Sequence, residues 1–225
     1  MTAPGLRGAL LSGAAGLGVE LSETQIGQLL NFVALLGKWN KVYNLTAVRD
    51  PAEMLIHHLL DSLAAVPPLR RYMQTQAAAG RNVSTLLDVG SGGGLPGVVL
   101  AVCFPALSVQ CVDAVAKKAA FLQQAAVHMG LGNLTGLHTR VESLDGPFDI
   151  VCSRAFASLQ DFTVWSRKAL SPHGVWLAMK GKKPLDEVAA LPPDVEVFHV
   201  EPLHVPGLDA ERCIVWLRPS IPHVN

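Results

Sequence analysis

The stretch LLDVGSGGGLPG, residues 86–97, has the spacing most suited to binding chemistry in this chain. A hydrophobic run reaches Asp88, turns through Gly90, Gly92, Gly93 and Gly94, and enters a helix at Leu95-Pro96. Glycines are needed where a ligand lies against bare backbone and where φ turns positive. Four of them within residues 90–94 exceed the needs of an ordinary strand-to-helix turn. Two ligand classes compete for such a loop. Gly92-Gly93-Gly94-Leu95-Pro96-Gly97 satisfies GxGxxG, the dinucleotide spacing. A pyrophosphate seeks several free N–H groups at a helix N-terminus, and Pro96 removes one where they matter most. A ligand with an amino-acid carboxylate and a ribose, but no phosphate, tolerates that loss better. S-adenosyl-L-methionine is such a ligand.

Three further places carry candidate chemistry. Asp113, closing LSVQCVD, follows the glycines by about twenty residues and can accept both ribose hydroxyls in either cofactor class. It can equally cap the next helix, and the two roles are compatible. Arg140-Val141-Glu142 offers a backbone N–H and a carboxylate to an adenine edge, or else a solvated loop acid. Ser153-Arg154 closes the apolar run FDIVC, where an arginine is costly unless paired or reaching solvent. No NPPY-like loop is present, which weighs against methylation of an exocyclic base nitrogen. Cys152 alternates away from Ser153 along a strand, which weighs against a thiol nucleophile for pyrimidine chemistry. With no CxxC, HxxxH or HExxH spacing, no metal site is expected.

The elements that must position these residues fall into two patterns. Residues 1–80 carry helix signals only. Ser22 with Gln25 reads as a capping box before Ile26, Leu29, Leu30, Val33 and Leu36. Asp50-Pro51-Ala52-Glu53 reads as a second start, with Leu55, Ile56, Leu59, Leu60 and Leu63 on one face and Pro67-Pro68 as its stop. The span QTQAAAGRNVS reads as a connection. From residue 81 to 225, strand candidates at Thr85–Val89, Ser108–Val112, Leu134–His138, Phe148–Ser153, Val175–Met179, Val195–Val200 and Arg212–Leu217 alternate with helical segments. That alternation predicts an α/β fold of parallel βαβ units with helices on both faces. Ligands then bind at the carboxyl ends of the strands.

Composition agrees with a folded chain of one generous domain plus an extension: 225 residues, 50% hydrophobic and 16% charged. Disorder is excluded, and no apolar run reaches the roughly 18 residues of a membrane span. The Ala/Gly-rich start is broken by glycines and holds only Arg7 as a base, which argues against a signal peptide. Four cysteines inside apolar runs read as buried thiols of a reducing, cytoplasmic compartment. The net charge of zero hides local fields. Residues 162–185 hold five bases and no acid, whereas 186–211 hold seven acids and no Lys or Arg.

Taken together, KWNKVYNLT (38–46), DSL (61–63), DVGSGGGLPG (88–97), RVE (140–142), SRAFASL (153–159) and KG (180–181) resemble the GidB family, bacterial methyltransferases that modify a guanine N7 in 16S ribosomal RNA. The resemblance runs from about residue 20 to Arg218; the Ala/Gly-rich start matches nothing in it. It implies a class I, Rossmann-like methyltransferase fold: a mostly parallel seven-stranded sheet with an N-terminal helical extension over 1–80. It also implies S-adenosyl-L-methionine as cofactor, held by Gly90, Leu95, Val141, Glu142 and Arg154 with Asp113 as the ribose acid, beside Gly92 and Gly94 of the loop. The implied partner is 16S ribosomal RNA or a small-subunit precursor, with a monomeric protein and neither metal nor membrane. A guanine N7 bears an in-plane lone pair and no proton, so no catalytic base is expected. Lys38, Lys41, Arg49, Lys180, Lys182 and Lys183 are candidates for phosphate contacts. Trp39 and Tyr43 either stack on a base or belong to the core. The competing readings are a methyltransferase for a small molecule or protein and a non-catalytic dinucleotide sensor.

Overall fold

The computed structural model describes residues 3–220. Its first helix, α1 (Ala3–Gly16), is built from the Ala/Gly-rich start. Then α2 (Glu23–Tyr43) begins at the capping box: Gln25 N–H donates to the Ser22 hydroxyl, and Ser22 N–H to the Gln25 side chain. Ile26, Leu29, Val33 and Leu36 are buried along it, as helical spacing predicts. At Asp50 a carboxylate oxygen accepts the N–H groups of Ala52 and Glu53 and starts α3 (Pro51–Met54). The chain then winds through a π-helical turn, Leu55–Leu60, into α4 (Asp61–Leu63). Pro67-Pro68 does more than stop this segment. It lies in the first turn of α5 (Val66–Ala78), where proline is tolerated, so much of the predicted connection is helix.

Seven strands follow: β1 (Thr85–Val89), β2 (Ser108–Asp113), β3 (Leu134–His138), β4 (Phe148–Arg154), β5 (Leu170–Lys180), β6 (Val195–Leu203) and β7 (Arg212–Pro219). They form one sheet in the order β3-β2-β1-β4-β5-β7-β6. The ladders among β1 to β5 are parallel, and β7 runs antiparallel to both of its neighbours. Between strands lie α6 (Gly97–Cys103), α7 (Ala116–Met129), α8 (Leu159–Trp165) and α9 (Leu185–Ala189). The expected helix start at Leu95 shifts to Gly97, because Leu95 and Pro96 belong to the preceding turn.

Both faces of the sheet are covered, which is why its central strands read as near-continuous apolar runs. Leu86, Cys111, Ile150, Leu177 and Trp216 pack on one side in a cluster that takes in Leu10, Phe32, Leu59, Leu69, Val99 and Phe121 from the helices. Leu87, Val151, Trp176 and Val215 pack on the other with Leu159 and Phe162 of α8. Stacking of Tyr72 on Trp216, ring centroids 5.0 Å apart, fastens α5 to that first face, and the tilted Phe32–Phe121 pair at 6.1 Å joins α2 to α7. The strand order reverses between β1 and β4, so their carboxyl ends open the crevice where this architecture binds ligands.

Candidate functional site

The glycine loop leaves β1 with Gly90, Gly92 and Gly94 all at positive φ (65°, 56° and 86°), a region only glycine enters freely. Its N–H groups are nearly all used internally. Gly90 and Ser91 donate to the Val112 carbonyl, Gly94 and Leu95 to that of Ser91, and Val98 to that of Gly94. Gly92 donates to Asp113 and Gly97 to Asp88. Among the described residues, Gly93 has the one N–H between 90 and 98 without a partner, Pro96 having none to give. A pyrophosphate would therefore find most of the loop's donors taken. Asp88 is fully buried and accepts Gly97 N–H at 2.9 Å while the thiols of Cys111 and Cys152 point at it from 3.9 and 3.8 Å. Burial pushes its carboxyl up to about 7, and pushes both thiols well above their ordinary value. Cys152 faces this interior, away from any crevice, as the strand alternation predicted.

Asp113 ends β2 with its side chain 7% exposed. One carboxylate oxygen takes Gly92 N–H at 3.0 Å, with Lys118 Nζ 3.6 Å away; the other takes Val115 N–H at 2.9 Å. A carboxylate offers about four acceptor positions, so the group keeps capacity for a ligand hydroxyl while it holds the loop and the entry to α7. It lines a cavity of about 400 Å³ together with Gly90, Val141, Glu142 and Phe156. A short 3₁₀ turn, Val141–Ser143, brings buried Val141 and exposed Glu142 to that wall. Phe156 lies against Gly90, where an added Cβ would strike its ring. Ala155 beside it holds φ at 52°.

A second cavity of about 460 Å³ shares Gly90 and Ala155 with the first, the residues that follow β1 and β4. Gly92, Gly93, Leu95 and Arg154 line it from the sheet side, and Thr46 of the α2–α3 loop with His57, His58 and Asp61 of the helical segment after it from the other. Asp61, 4% exposed, accepts from Arg154 at 2.6 Å and from Arg212 at 2.8 Å. Arg154 also donates to the His57 carbonyl at 3.0 Å. Burial, and next the charge of Arg154, push His58 down to about 4, so it faces Thr46 Oγ1 as a neutral ring at 2.8 Å. Of the residues the sequence pointed to, Gly90, Gly92, Leu95, Asp113, Val141, Glu142 and Arg154 come to the two cavities. Gly94 lines neither, because the space beside it is filled by Val98 and Leu122.

Some assignments shift. Lys180 is turned inward, donating to the Ala157 carbonyl at 2.9 Å and to Glu187 at 2.8 Å, and so is engaged rather than open to a phosphate. Glu187 also accepts Leu159 N–H, which caps α8. Lys182 and Lys183 are exposed. Trp39 packs into the core with its ring 5.5 Å from Phe121, leaving Tyr43, 39% exposed, on the rim. Sequence reasoning gave Asp61 and Arg212 no role of their own. An acid inside the apolar run LIHHLLDSL was the available signal for Asp61; nothing local pointed to Arg212. Among the described residues, no three His, Cys, Asp or Glu side chains converge as metal ligands, and no helix is long and apolar enough to cross a membrane.

The fold has relatives among solved structures. TrmN from Thermus thermophilus superposes with a TM-score of 0.51 at 19% identity, covering 74% of this chain and 53% of its own. Ribosomal protein L11 methylase from Lactobacillus delbrueckii subsp. bulgaricus gives 0.53 at 15% identity, covering 72% and 79%. Likenesses this remote concern the fold alone. Sequence relatives are much nearer. Ribosomal RNA small subunit methyltransferase G of Acidovorax sp. (strain JS42) is 71% identical over 213 residues, 94% of either chain. The protein of that name from Polaromonas naphthalenivorans (strain CJ2) is 62% identical over 218 residues, covering 97% of this chain and 98% of its own. The family model GidB, rRNA small subunit methyltransferase G, matches residues 25–215. With six of the seven strands, the glycine loop and both cavities inside that match, the chain belongs to the GidB family of rRNA small subunit methyltransferases.

Proposed function

We propose that this protein transfers the methyl group of S-adenosyl-L-methionine to the N7 of a guanine in 16S ribosomal RNA. The observation that carries the reading is the pair of cavities meeting at Gly90 and Ala155, beside a glycine loop in which the N–H of Gly93 alone stays free. A phosphate-free nucleoside joined to an amino acid fits that donor set; a dinucleotide does not. When bound, the sulfonium supplies an electrophilic methyl group. Asp113 holds the ribose hydroxyls with its unused acceptor positions, and Val141 and Glu142 flank the adenine. Gly90, Gly92 and Leu95, with the free N–H of Gly93, bear on the amino-acid end. Arg154, braced by Asp61, closes that end of the site.

No residue is needed as a base, since N7 attacks with a lone pair and releases no proton. What the chain contributes is alignment of the acceptor nitrogen with the methyl carbon and sulfur, an orientation effect. In this reading residues 1–80 act as a helical wall and lid, and 81–225 as the cofactor domain. Lys182 and Lys183 meet RNA phosphates. The protein works as a monomer in the cytoplasm, without a metal, on rRNA or on a small-subunit precursor.

Incubation of the protein with methyl-labelled cofactor and small-subunit rRNA, followed by mapping, should place the label on the N7 of one guanine. Label appearing only in protein or small molecules of an extract would refute the RNA assignment. Asp113→Ala should weaken cofactor binding about 10-fold or more in a calorimetric titration; retained affinity would remove Asp113 from the site.

A further inference from the structure

Both purines carry N7, so reaching that atom does not select guanine. What differs beside it is the neighbouring group: guanine presents the O6 acceptor, adenine the N6 amino donor. An N7 methyltransferase that discriminates must place a donor where O6 will lie, yet leave the N7 lone pair free. Most donors of the second cavity are already committed. Lys180 is bound to the Ala157 carbonyl and Glu187. Thr46 faces His58, and the Ser91 hydroxyl is bound to the Asp88 carbonyl. Arg154 sits next to Ala155 on the cofactor side of the cavity. Arg212 is different. It lines the cavity from β7, paired with Leu203 and next to Cys213, and meets the Asp61 oxygen that Arg154 leaves free.

We propose that Arg212 reads O6 of the acceptor guanine and is the residue that separates guanine from adenine, with Asp61 as its positioning residue. This inference rests on the N7 reading above. Arg212 Nε donates to Asp61 at 2.8 Å and NH1 to the Glu211 carbonyl at 2.8 Å. Among the described residues, NH2 has no acceptor. A free arginine fork takes both O6 and N7 of guanine, which would block the methylated atom. Here Nε and one NH1 hydrogen are held by the protein; NH2, the nitrogen without an acceptor, is the donor offered to O6, and the fork edge that pairs Nε with NH2 cannot close on O6 and N7 together. Adenine would set its amino group against that donor and leave both unsatisfied. Asp61, nearly buried and shared with Arg154, is what keeps Nε from turning into the cavity.

The test compares small-subunit rRNA carrying either guanine or 2-aminopurine at the nucleotide mapped with the wild-type enzyme. 2-Aminopurine retains N7 and the 2-amino group but lacks O6. Wild-type kcat/KM should favour guanine by at least about 10-fold. Arg212→Gln should lose about 10- to 100-fold on guanine RNA, keep its rate on 2-aminopurine RNA, and bind cofactor within about twofold of wild type by calorimetry. The different intrinsic nucleophilicity of the two bases is common to both enzymes and cancels in the comparison. Arg212→Lys, which keeps one donor, should show an intermediate ratio and serves if the Gln variant does not melt cooperatively. A wild-type ratio near one, a ratio unchanged in Arg212→Gln, or a loss of cofactor affinity matching the loss of rate would each overturn the inference. Failure of the wild-type enzyme to methylate the guanine RNA would instead strike the proposed function itself.

Discussion

Asp88 and His58 are buried ionisable groups pulled in opposite directions, and their signs make them separable. The Asp88 carboxyl rises from 3.8 to about 7 because its charged form has no water. Its contribution to stability is intact below pH 3.8 and is lost as pH climbs toward 7, where the unfolded chain ionises first. His58 falls from 6.5 to about 4, so its contribution is intact above 6.5 and is lost as pH drops toward 4. Asp88→Asn keeps an oxygen for Gly97 N–H and removes the first dependence alone. Its melting temperature relative to wild type should improve steadily from pH 4 to pH 7. A pH-independent difference would mean that Asp88 is already ionised in the folded state. The same residue takes the Gly97 N–H, one of the helix-terminal donors that a phosphate would use.

At the scale of elements, α6 is pressed against β1 and β2 so closely that its first residue must be glycine. A Cβ on Gly97 would fall on the Cys111 sulfur and within 2.8 Å of Asp88 Oδ2. Gly97→Ala should destabilise by about 1–3 kcal/mol through overpacking, and should loosen cofactor binding because the loop is anchored there. Gly27, in the interior of α2, meets nothing within 4 Å. Gly27→Ala should stabilise by about 0.5–1 kcal/mol, the difference in helix propensity. Urea midpoints of the two variants, moving in opposite directions, would check both; a shift of the same sign would refute the packing argument. The π-helical turn at Leu55–Leu60 belongs to this scale too. It carries His57 and His58 to the second cavity with Asp61 following, in a segment whose apolar spacing reads as ordinary helix.

For the whole molecule, a formal charge of zero conceals an uneven distribution. Arg71, Arg154, Lys180, Arg212 and Arg218 are tied to carboxylates. Lys182 and Lys183, just past the strand that borders the second cavity, are exposed and make no ion pair among the described residues. If both meet phosphates, replacing the pair with alanine should reduce the slope of log affinity against log salt by about 1.4, at roughly 0.7 per single-strand contact. An unaltered slope would clear them. Arg154 and the glycine loop were legible because each announces itself locally, one as a charge closing an apolar strand, the other as clustered glycine. Asp61 and Arg212 were not, since their ion pair spans 151 positions of chain.

The amino-acid order alone determined the strands, the helix starts at Ser22 and Asp50, and a loop suited to a nucleoside without phosphate. Those follow from hydrophobic periodicity and from hydrogen bonds between near neighbours, which depend only on what lies a few residues away. Only the tertiary structure decided which loop N–H stays free, that Lys180 serves the fold, and that Asp61 holds two arginines from distant strands at one cavity. Such outcomes depend on packing between elements far apart in the chain, and no local pattern encodes them.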